Sequence, residues 1–399
     1  MTLSYWHKTR REMTATFDVA VVGGGIIGCA TAYWLRQRRP EWSVAIVEAR
    51  TVGSGASGRN AGFVIQGTDT HYLADVEAFG ARTARRLWQF TRESRSLLES
   101  ELDSEAFDLA ARGSLTVAGT EEQEERLRAS VGPMRGAGAP VIFLSAAETN
   151  RRLHAEGFHG SLFVTSGAML DPLRLVRHVA SESEADVLEH HPVRDVRHDG
   201  DRVVLETPVR RLEADRVVLA IGPHLPKVLP ATERYVRPVR AQMLSTTAAP
   251  EQRLSVPAYT HDGEFYIRQV PDGSVLLGGA RYRHAEAEVG FEDATTSAVQ
   301  DDLERYLHRH FPWAKSLDVK HRWSGTMGFS PDKRPVIGAV PDAPNSYWAT
   351  GFTGHGMSYG FGFGRLMADL VVGERRPDGY ELFRAERFDE QNIHSGAAT

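Results

Sequence analysis

The sequence predicts an α/β protein in which a Rossmann-type dinucleotide-binding domain is combined with an antiparallel sheet. Near the N-terminus, residues 21–30 read VVGGGIIGCA, so that an apolar strand runs into a glycine-rich turn and then into a helix. Further along, residues 235–281 contain short apolar runs separated by turn residues such as Pro271-Asp272-Gly273. Strands alternating with helices predict a parallel sheet, and strands joined by tight turns predict an antiparallel one.

The chain is long enough for two domains, and its composition is that of a globular protein. It has 399 residues, of which 41% are hydrophobic and 25% charged, with a formal net charge of −5. This balance gives no indication of a nucleic-acid partner. The only cysteine is Cys29, and the 16 histidines lack the spacing of metal ligands, so we expect neither a disulfide framework nor a metal site.

No stretch of the sequence predicts a signal peptide or a transmembrane segment. The first residues, predicted to form an N-terminal extension over 1–14, are basic but lack an apolar core. Residues 17–35 are apolar, but three consecutive glycines interrupt them and the charged run RQRRPE follows. A buried strand-turn-helix explains them better than a membrane span, and we expect a cytoplasmic protein.

The glycines and the following acid form a dinucleotide-binding βαβ unit. Gly23 permits a tight turn, Gly25 allows the backbone to approach a pyrophosphate, and Gly28 lets the helix pack closely on the strand. The helix, running to about Arg38, offers unpaired N–H groups to phosphates. The next strand ends at Glu48, where a carboxylate can accept hydrogen bonds from ribose hydroxyls and disfavours the 2′-phosphate of NADP.

A long loop follows the acid, where a plain nicotinamide-binding domain would turn quickly into another helix. Residues 49–63 read ARTVGSGASGRNAGF. Such a loop can wrap a phosphate and sugar chain with backbone N–H groups and the hydroxyls of Ser54 and Ser57. The alternative is a mobile surface loop.

These motifs together resemble the FAD-dependent D-amino acid oxidase superfamily, which includes glycine and sarcosine oxidases. The stretches are GGGIIG, VEA and GSGASGRNAGF, while SGRN and the N-terminal SYW resemble most closely the γ-glutamylputrescine oxidoreductase branch. The resemblance implies a GR2-like FAD-binding domain interleaved with an antiparallel-sheet substrate domain. It implies FAD contacts at Gly23, Gly25, Ile26, Ile27, Gly28, Glu48, Ala49, Ser54, Gly55, Ala56, Ser57, Arg59, Asn60, Ala61, Gly62, Val193, Gly222, Gly325, Gly354, His355, Gly356 and Met357.

The rest of the chain divides between the two domains. Asp171-Pro172 predicts a capped helix start, and the apolar strand RVVLAIG is expected to return to the FAD sheet, as in the family. The predicted FAD-binding segments are 15–85, 150–230 and 322–390, and the predicted substrate-domain segments are 86–149 and 231–321.

Near the C-terminus, YWAT predicts a strand, and a helix is expected from about Met357 to Val372. Helix interiors disfavour glycine. Gly360, Gly362 and Gly364 therefore predict close contact with a flat group or with another backbone, and helix packing alone is the structural alternative. In the family, the N-terminus of this helix points at the flavin C2 carbonyl.

The resemblance implies oxidation of a CH–NH bond, with hydride passing to flavin N5. The predicted catalytic residues are Tyr266, Arg268, His355 and Met327; a packed strand aromatic is the alternative for Tyr266. Met327 stands where family members acting on α-amino acids often place a carboxylate-binding arginine, so we expect a substrate whose carboxylate is distant or absent. Arg59, Arg240 and Arg268 are the candidates that could replace that arginine.

Several alternatives remain at this point. The electron acceptor can be O2 or a carrier such as a quinone, which would make the protein an oxidase or a dehydrogenase. The missing arginine also leaves open a non-catalytic flavoprotein, while the GSGASGRN loop disfavours an NAD-dependent dehydrogenase. Because Cys29 lies inside the glycine motif, no cysteine is placed to attach the flavin, and FAD is expected to bind noncovalently.

Overall fold

The structure is a computed structural model, and it describes residues 5, 14–68, 71–340, 343, 345–373 and 377–389. Apart from Tyr5 and Thr14, the predicted N-terminal extension lies outside the described residues, and so does most of the SYW motif. No helix in the described part of the chain has both the length and the apolar character needed to cross a membrane.

The described residues form eighteen strands and nine α-helices, with several short 3-10 turns between them. The strands are β1 Ala15–Val22, β2 Val44–Val47, β3 Phe63–Val64, β4 Ser114–Ala118, β5 Val141–Ser145, β6 Gly160–Val164, β7 Ala168–Met169, β8 Asp186–Leu188, β9 Asp195–Asp199, β10 Arg202–Glu206, β11 Arg211–Leu219, β12 Arg237–Ala248, β13 Ala258–Thr260, β14 Phe265–Gln269, β15 Ser274–Gly279, β16 Val319–Phe329, β17 Val336–Ala339 and β18 Ser346–Thr350. The α-helices are α1 Ile26–Arg38, α2 Tyr72–Phe79, α3 Ala81–Glu101, α4 Glu121–Gly136, α5 Ala146–Leu153, α6 Pro172–Glu182, α7 Ser297–His310, α8 Gly356–Val372 and α9 Tyr380–Phe383.

The first sheet is the predicted dinucleotide-binding sheet. Its strands lie in the order β17-β18-β11-β1-β2-β8, and the hairpin of β9 and β10 joins it at β11. Strand β1 pairs in parallel with both β2 and β11. The second half of β1 and the whole of β2 are buried, because both faces of a parallel sheet are covered.

The second sheet has the order β16-β12-β15-β14-β13-β4-β6-β5 and is antiparallel except where β13 pairs with β4. Its pairing cuts across two of the predicted domain limits. Strand β6 pairs with β4 and β5, and β16 pairs with β12, although the whole of β6 and residues 322–329 of β16 fall in the predicted FAD-binding segments. The division of whole segments between domains stays a prediction.

Helix α8 packs directly on α1 and α3, and its glycines make this approach possible. A Cβ built on Gly364 would lie 2.4 Å from the Cβ of Ala30, and one on Gly362 would lie 2.8 Å from the Cβ of Ser94. A Cβ on Gly360 would lie 2.5 Å from the side chain of Ile26. The three glycines therefore serve contact between helices, which is the structural alternative, and not contact with a flat ligand.

Candidate active site

The glycine motif between β1 and α1 has the tight geometry that its spacing predicts. A Cβ on Gly28 would lie 1.9 Å from the carbonyl oxygen of Gly23. Gly23 has a φ of +112°, and a Cβ there would lie 2.5 Å from the carbonyl oxygen of Ala220, at the end of β11. Both positions thus require glycine for strand, turn and helix to meet.

The N-terminus of α1 is arranged to receive an anion. Its N-cap is Gly25, which has no side chain, and its first turn contains no acidic residue. One N–H group is already used, since Ile26 N donates to Ser57 Oγ at 3.0 Å. Gly55, two residues before Ser57 in the chain, is exposed, and a Cβ there would meet nothing within 4 Å. An uncapped helix start beside open space suits a pyrophosphate.

Glu48 lies directly after β2, and backbone N–H groups hold its carboxylate in place. Gly24 N donates to Oε2 at 2.7 Å and Arg50 N donates to Oε1 at 2.8 Å. Each carboxylate oxygen has a further lone pair, so the group can still accept hydrogen bonds from a ribose diol. The predicted role of Glu48 is compatible with this geometry.

The loop after Glu48, which we call the cofactor loop (residues 49–62), is held by its own hydrogen bonds. Asn60 Nδ2 donates to the carbonyl oxygens of Ala56 and Ser57, while Asn60 Oδ1 accepts from Gly62 N at 2.7 Å. Ser54 takes part through its carbonyl oxygen, which accepts from Arg59 Nε at 2.9 Å. These bonds give the loop a defined shape, unlike the mobile surface loop that was the alternative.

Arg268 joins the cofactor loop to the second sheet. Its Nη1 donates to the carbonyl oxygens of Ala61 at 2.9 Å and Leu170 at 2.7 Å, with Gly62 at 3.5 Å. A Cβ on Gly62 would lie 2.1 Å from the oxygen of Leu170. Burial lowers the pKa of Arg268 to about 10, which leaves it protonated at neutral pH.

A row of side chains crosses the second sheet over the cofactor loop. The pairings place Tyr259 opposite Tyr266, Tyr266 opposite Gly278, Gly278 opposite Met243, and Met243 opposite Trp323. Because Gly278 has no side chain, the Tyr266 ring lies over it, and a Cβ there would lie 2.3 Å from that ring. Burial raises the pKa of Tyr266 to about 12, so its hydroxyl stays protonated.

Phe63 and His355 close this row from the other side. The Phe63 ring centroid is 5.1 Å from that of Tyr259 and 6.3 Å from that of Tyr266. His355, the N-cap residue of α8, stacks on Tyr259 with centroids 6.1 Å apart. Its Nε2 is buried without a hydrogen-bond partner in the structure, and burial lowers the pKa of His355 to about 4. A neutral imidazole nitrogen is therefore left to serve a ligand.

Met327 lies near the start of α8, and two of the three arginines that could replace the missing one are engaged elsewhere. A Cβ on Gly354 would lie 3.7 Å from Met327 Sδ. Arg240 is buried and binds both carboxylate oxygens of Glu288, at 2.8 and 2.9 Å. Arg59 binds Asp293 at 2.6 Å. Of these three arginines, Arg268 is the one that makes no salt bridge within the described residues.

The remaining predicted cofactor positions lie around the same elements. Gly325, on β16, lies against Arg59, since a Cβ there would be 3.4 Å from the Cβ of Arg59. Gly222 follows β11 with a φ of +55°. Other predicted positions lie in the first turn of α1, after β2 and in the first turn of α8: Ile27, Ala49, Gly356 and Met357.

Val193 is the predicted position with the weakest connection to this site. It is partly buried against an apolar cluster that includes Val22 and Val47. Two residues before it, His191 N donates to the carbonyl oxygen of Glu48 at 2.8 Å. This backbone contact brings the segment to the end of β2, and a role for Val193 stays a prediction.

Sequence reasoning missed several residues that shape the site. Tyr259 and Phe63 contribute rings, Trp323 Nε1 donates to the carbonyl oxygen of Arg59 at 2.8 Å, and Ser358 Oγ accepts from Ile65 N at 3.0 Å. Tyr259 could have been found, because the turn in AYTHDGEFYIRQV places it opposite Tyr266 when the two strands pair. The others become neighbours only through contacts between distant segments.

The fold and this site define the class of protein. In the first sheet β8, β2, β1, β11 and β18 run parallel, and the second sheet is largely antiparallel. This combination, with the glycine motif, an acid after β2 and two helix starts whose N-cap residues make no side-chain cap, is typical of dinucleotide-dependent oxidoreductases. The family model described as FAD dependent oxidoreductase (DAO) matches residues 18–370, and the chain belongs to this family. It is therefore an FAD-dependent oxidoreductase.

Individual relatives agree with this assignment. Glycine oxidase of Geobacillus kaustophilus (strain HTA426) is 29% identical over 386 residues, which cover 93% of this chain and 96% of the relative. Gamma-glutamylputrescine oxidoreductase of Escherichia coli (strain K12) is 27% identical over 391 residues, covering 94% of this chain and 85% of the relative. The crystal structure of glycine oxidase from Geobacillus kaustophilus has a TM-score of 0.77 and 25% identity, covering 93% of this chain and 98% of that one.

The described residues fit FAD. The open, uncapped start of α1 suits the pyrophosphate, and Glu48 suits the adenosine ribose. The start of α8 also lacks a side-chain cap and an acidic residue in its first turn, so it can stabilise a negative charge on the flavin ring. The family match and this geometry agree on the cofactor.

Proposed function

We propose that the chain oxidises the CH–NH or CH–NH2 bond of a small amine or amino acid to an imine, which water then hydrolyses. When bound, FAD supplies the acceptor for the hydride that leaves the carbon atom next to nitrogen. The observation that carries the proposal is the partly buried row of Tyr259 and Tyr266 beside His355, between the second sheet and the start of α8. The imidazole of His355 is neutral, and its Nε2 has no hydrogen-bond partner among the described residues.

The side chains of this row favour the neutral amine. Apolar, aromatic surroundings penalise a charged ammonium group, so that they lower the pKa of a bound amine. His355 Nε2 can accept from, or donate to, a polar group of the substrate, because the pKa of this side chain is too low for it to carry a charge at neutral pH. No residue needs to act as a strong base, since hydride loss starts from the neutral amine.

Tyr266 is proposed to contact the substrate directly. Its ring lies over Gly278 and against Phe63, which leaves the hydroxyl as the polar end of a fixed aromatic group. A protonated hydroxyl in this position can donate one hydrogen bond and accept another. The substrate body would then pack on the aromatic rings and on the Met327 thioether, which suits an apolar or extended amine.

The relatives include both oxidases and dehydrogenases. They therefore support oxidation of an amine more strongly than they support O2 or an electron carrier as the acceptor. Glycine oxidase is an oxidase by name, whereas human mitochondrial sarcosine dehydrogenase, 23% identical over 407 residues, is a dehydrogenase. The proposal therefore covers oxidation of the amine, with O2 or an electron carrier as the acceptor.

The test is product analysis with the purified holoenzyme, a panel of amines and amino acids, and either O2 or an artificial electron acceptor. The proposal predicts one carbonyl product and one ammonia or amine for each two electrons accepted. Tyr266→Phe should raise KM while the FAD content stays unchanged, and Gly278→Ala should act similarly by displacing the same ring. Oxidation of a hydroxy acid in place of every amine, or an unreactive flavin with the whole panel, would contradict it.

A further inference from the structure

Arg268 is a buried cation that forms no salt bridge with any acid in the described part of the chain. It is 5% exposed, and its three hydrogen bonds all run from Nη1 to backbone carbonyl oxygens. Its Nε is buried and has no hydrogen-bond partner in the structure. A buried guanidinium usually binds a carboxylate, so this arrangement is unusual for a purely structural arginine.

The two acids whose charges act on Arg268 are engaged with other groups. Asp171 Oδ1 caps α6 by accepting from Leu173 N and Arg174 N, both at 3.0 Å. Asp108 pairs with the exposed Arg174 at 2.5 Å. Neither carboxylate forms a salt bridge with Arg268 in the described part of the chain. The positive charge of Arg268 is therefore not neutralised by direct contact with an acid, and it acts on the groups around it.

Those surroundings are the cofactor loop. The carbonyl oxygens of Ala61 and Gly62 belong to the last residues of that loop, and Leu170 N donates to the Gly62 oxygen at 2.8 Å. Arg268 therefore fixes the orientation of two successive peptide groups and ties them to β14. Tyr266 lies two residues earlier on the same face of that strand, because side chains alternate along it.

We propose that Arg268 is a positioning residue that holds the Ala61–Gly62 turn of the cofactor loop against the second sheet, and that its charge favours the negatively charged, reduced form of the bound flavin. A fixed positive charge in a dry environment stabilises a nearby developing negative charge without reorganisation. The proposal requires bound FAD but does not require an amine as the substrate.

The experiment measures the flavin reduction potential against a reference dye, with a chemical reductant and without substrate. Arg268→Met should shift the equilibrium toward the oxidised flavin about tenfold, or about 30 mV for a two-electron couple. The dissociation constant of FAD should rise about tenfold, because the loop loses its anchor. Arg268→Lys keeps the charge, so its reduction potential should differ from that of the wild type by at most half as much as that of Arg268→Met.

Two further variants make the test independent of folding defects. Arg36→Met is the control, since Arg36 also donates to a backbone carbonyl, that of Trp42, and also has a buried Nε without a hydrogen-bond partner. Unlike Arg268, it pairs with an acid, Glu184, at 3.5 Å, and its substitution should leave the potential unchanged. Asp171→Asn keeps a good helix cap while removing a negative charge near Arg268, and should raise the potential. This variant is informative even where Arg268→Met fails to fold.

An unchanged potential in both Arg268→Met and Asp171→Asn would overturn the proposal. So would a potential in Arg268→Lys as low as in Arg268→Met, because the effect would then not follow the charge. Arg268→Met with a normal potential and a raised KM for carboxylate-bearing substrates alone would also overturn it, since Arg268 would then bind the substrate.

Discussion

At the scale of single residues, local spacing predicts the geometry of the glycine motif well and predicts long-range partners poorly. Gly23, Gly25 and Gly28 could be assigned from sequence because strand, turn and helix follow each other within a few residues. Arg240 is a sequence-based candidate for binding a substrate carboxylate, but in the structure its guanidinium already binds Glu288. Its partner Glu288 is 48 residues away, and no local pattern reveals such a pair.

Glu48 provides the most direct test of the ribose contact. Glu48→Ala removes a charged acceptor, and each lost hydrogen bond to a charged group costs about 1.5–3 kcal/mol. FAD binding should therefore weaken about tenfold or more, as measured by titrating apoprotein with FAD. Glu48→Gln keeps one acceptor oxygen, so its FAD dissociation constant should lie between those of the wild type and Glu48→Ala. An FAD dissociation constant unchanged in Glu48→Ala would remove Glu48 from the cofactor site.

His355 makes the stability of the fold depend on pH. Burial lowers its pKa to about 4, below the value of about 6.5 in an unfolded chain. Between these values the unfolded chain binds a proton that the folded chain does not, so the free energy of unfolding rises with pH across this window. His355→Leu removes this proton uptake. The slope of the unfolding free energy against pH should therefore fall by up to about 1.4 kcal/mol per pH unit, which corresponds to one proton.

Urea unfolding of wild type and His355→Leu at intervals from pH 4 to pH 8 would measure this slope. Above pH 6.5 the two slopes should be the same, because the histidine is neutral in both states. Equal slopes over the whole range would mean that His355 is not buried as a neutral group.

At the scale of elements, the glycines of α8 show where the sequence leaves two interpretations open. Glycine at positions 360, 362 and 364 requires close contact, but only the neighbouring elements decide whether a ligand or a helix is the partner. The structure places α1 and α3 there. The short strands of the second sheet were recognised from their turns, yet the membership of β6 and β16 depends on pairings between distant segments.

Gly364→Ala should destabilise the contact between α8 and α1. The new Cβ would lie 2.4 Å from Ala30 Cβ and 2.6 Å from its backbone carbonyl carbon, so the helices must separate. Overpacking of this kind costs about 1–3 kcal/mol of unfolding free energy, measured by chemical denaturation. The control is Gly136→Ala in the exposed helix α4, where nothing lies within 4 Å and the change should be neutral or slightly stabilising. Equal changes in unfolding free energy for Gly364→Ala and Gly136→Ala would contradict the close packing of α8 on α1.

At the scale of the whole molecule, FAD should be held by the fold alone. The only cysteine, Cys29, is fully buried in α1, and burial raises the pKa of its thiol, so it is unreactive. Acid or heat precipitation of the purified yellow protein should release all FAD into the supernatant, as measured by its absorbance. Flavin that remains with the precipitate after washing would show a covalent link.

The predicted substrate preference rests on how charge is distributed around the site. Met327 cannot form the paired hydrogen bonds that a carboxylate next to the reacting carbon needs, and Arg59 and Arg240 are both bound to acids. A small α-amino acid would bury a carboxylate without a partner there, which is costly. An amine whose carboxylate is distant or absent avoids this cost.

The most direct test of amine oxidation is anaerobic stopped-flow reduction of the bound flavin by single substrates. We expect primary or secondary amines with a distant carboxylate, or with none, to bleach the flavin faster than glycine or D-alanine does. Met327→Arg should reduce this difference between the rates of flavin reduction. Rapid bleaching by glycine or D-alanine in the wild type would contradict the predicted substrate preference. A flavin that a chemical reductant bleaches, but that no amine or amino acid does, would contradict the proposed function itself.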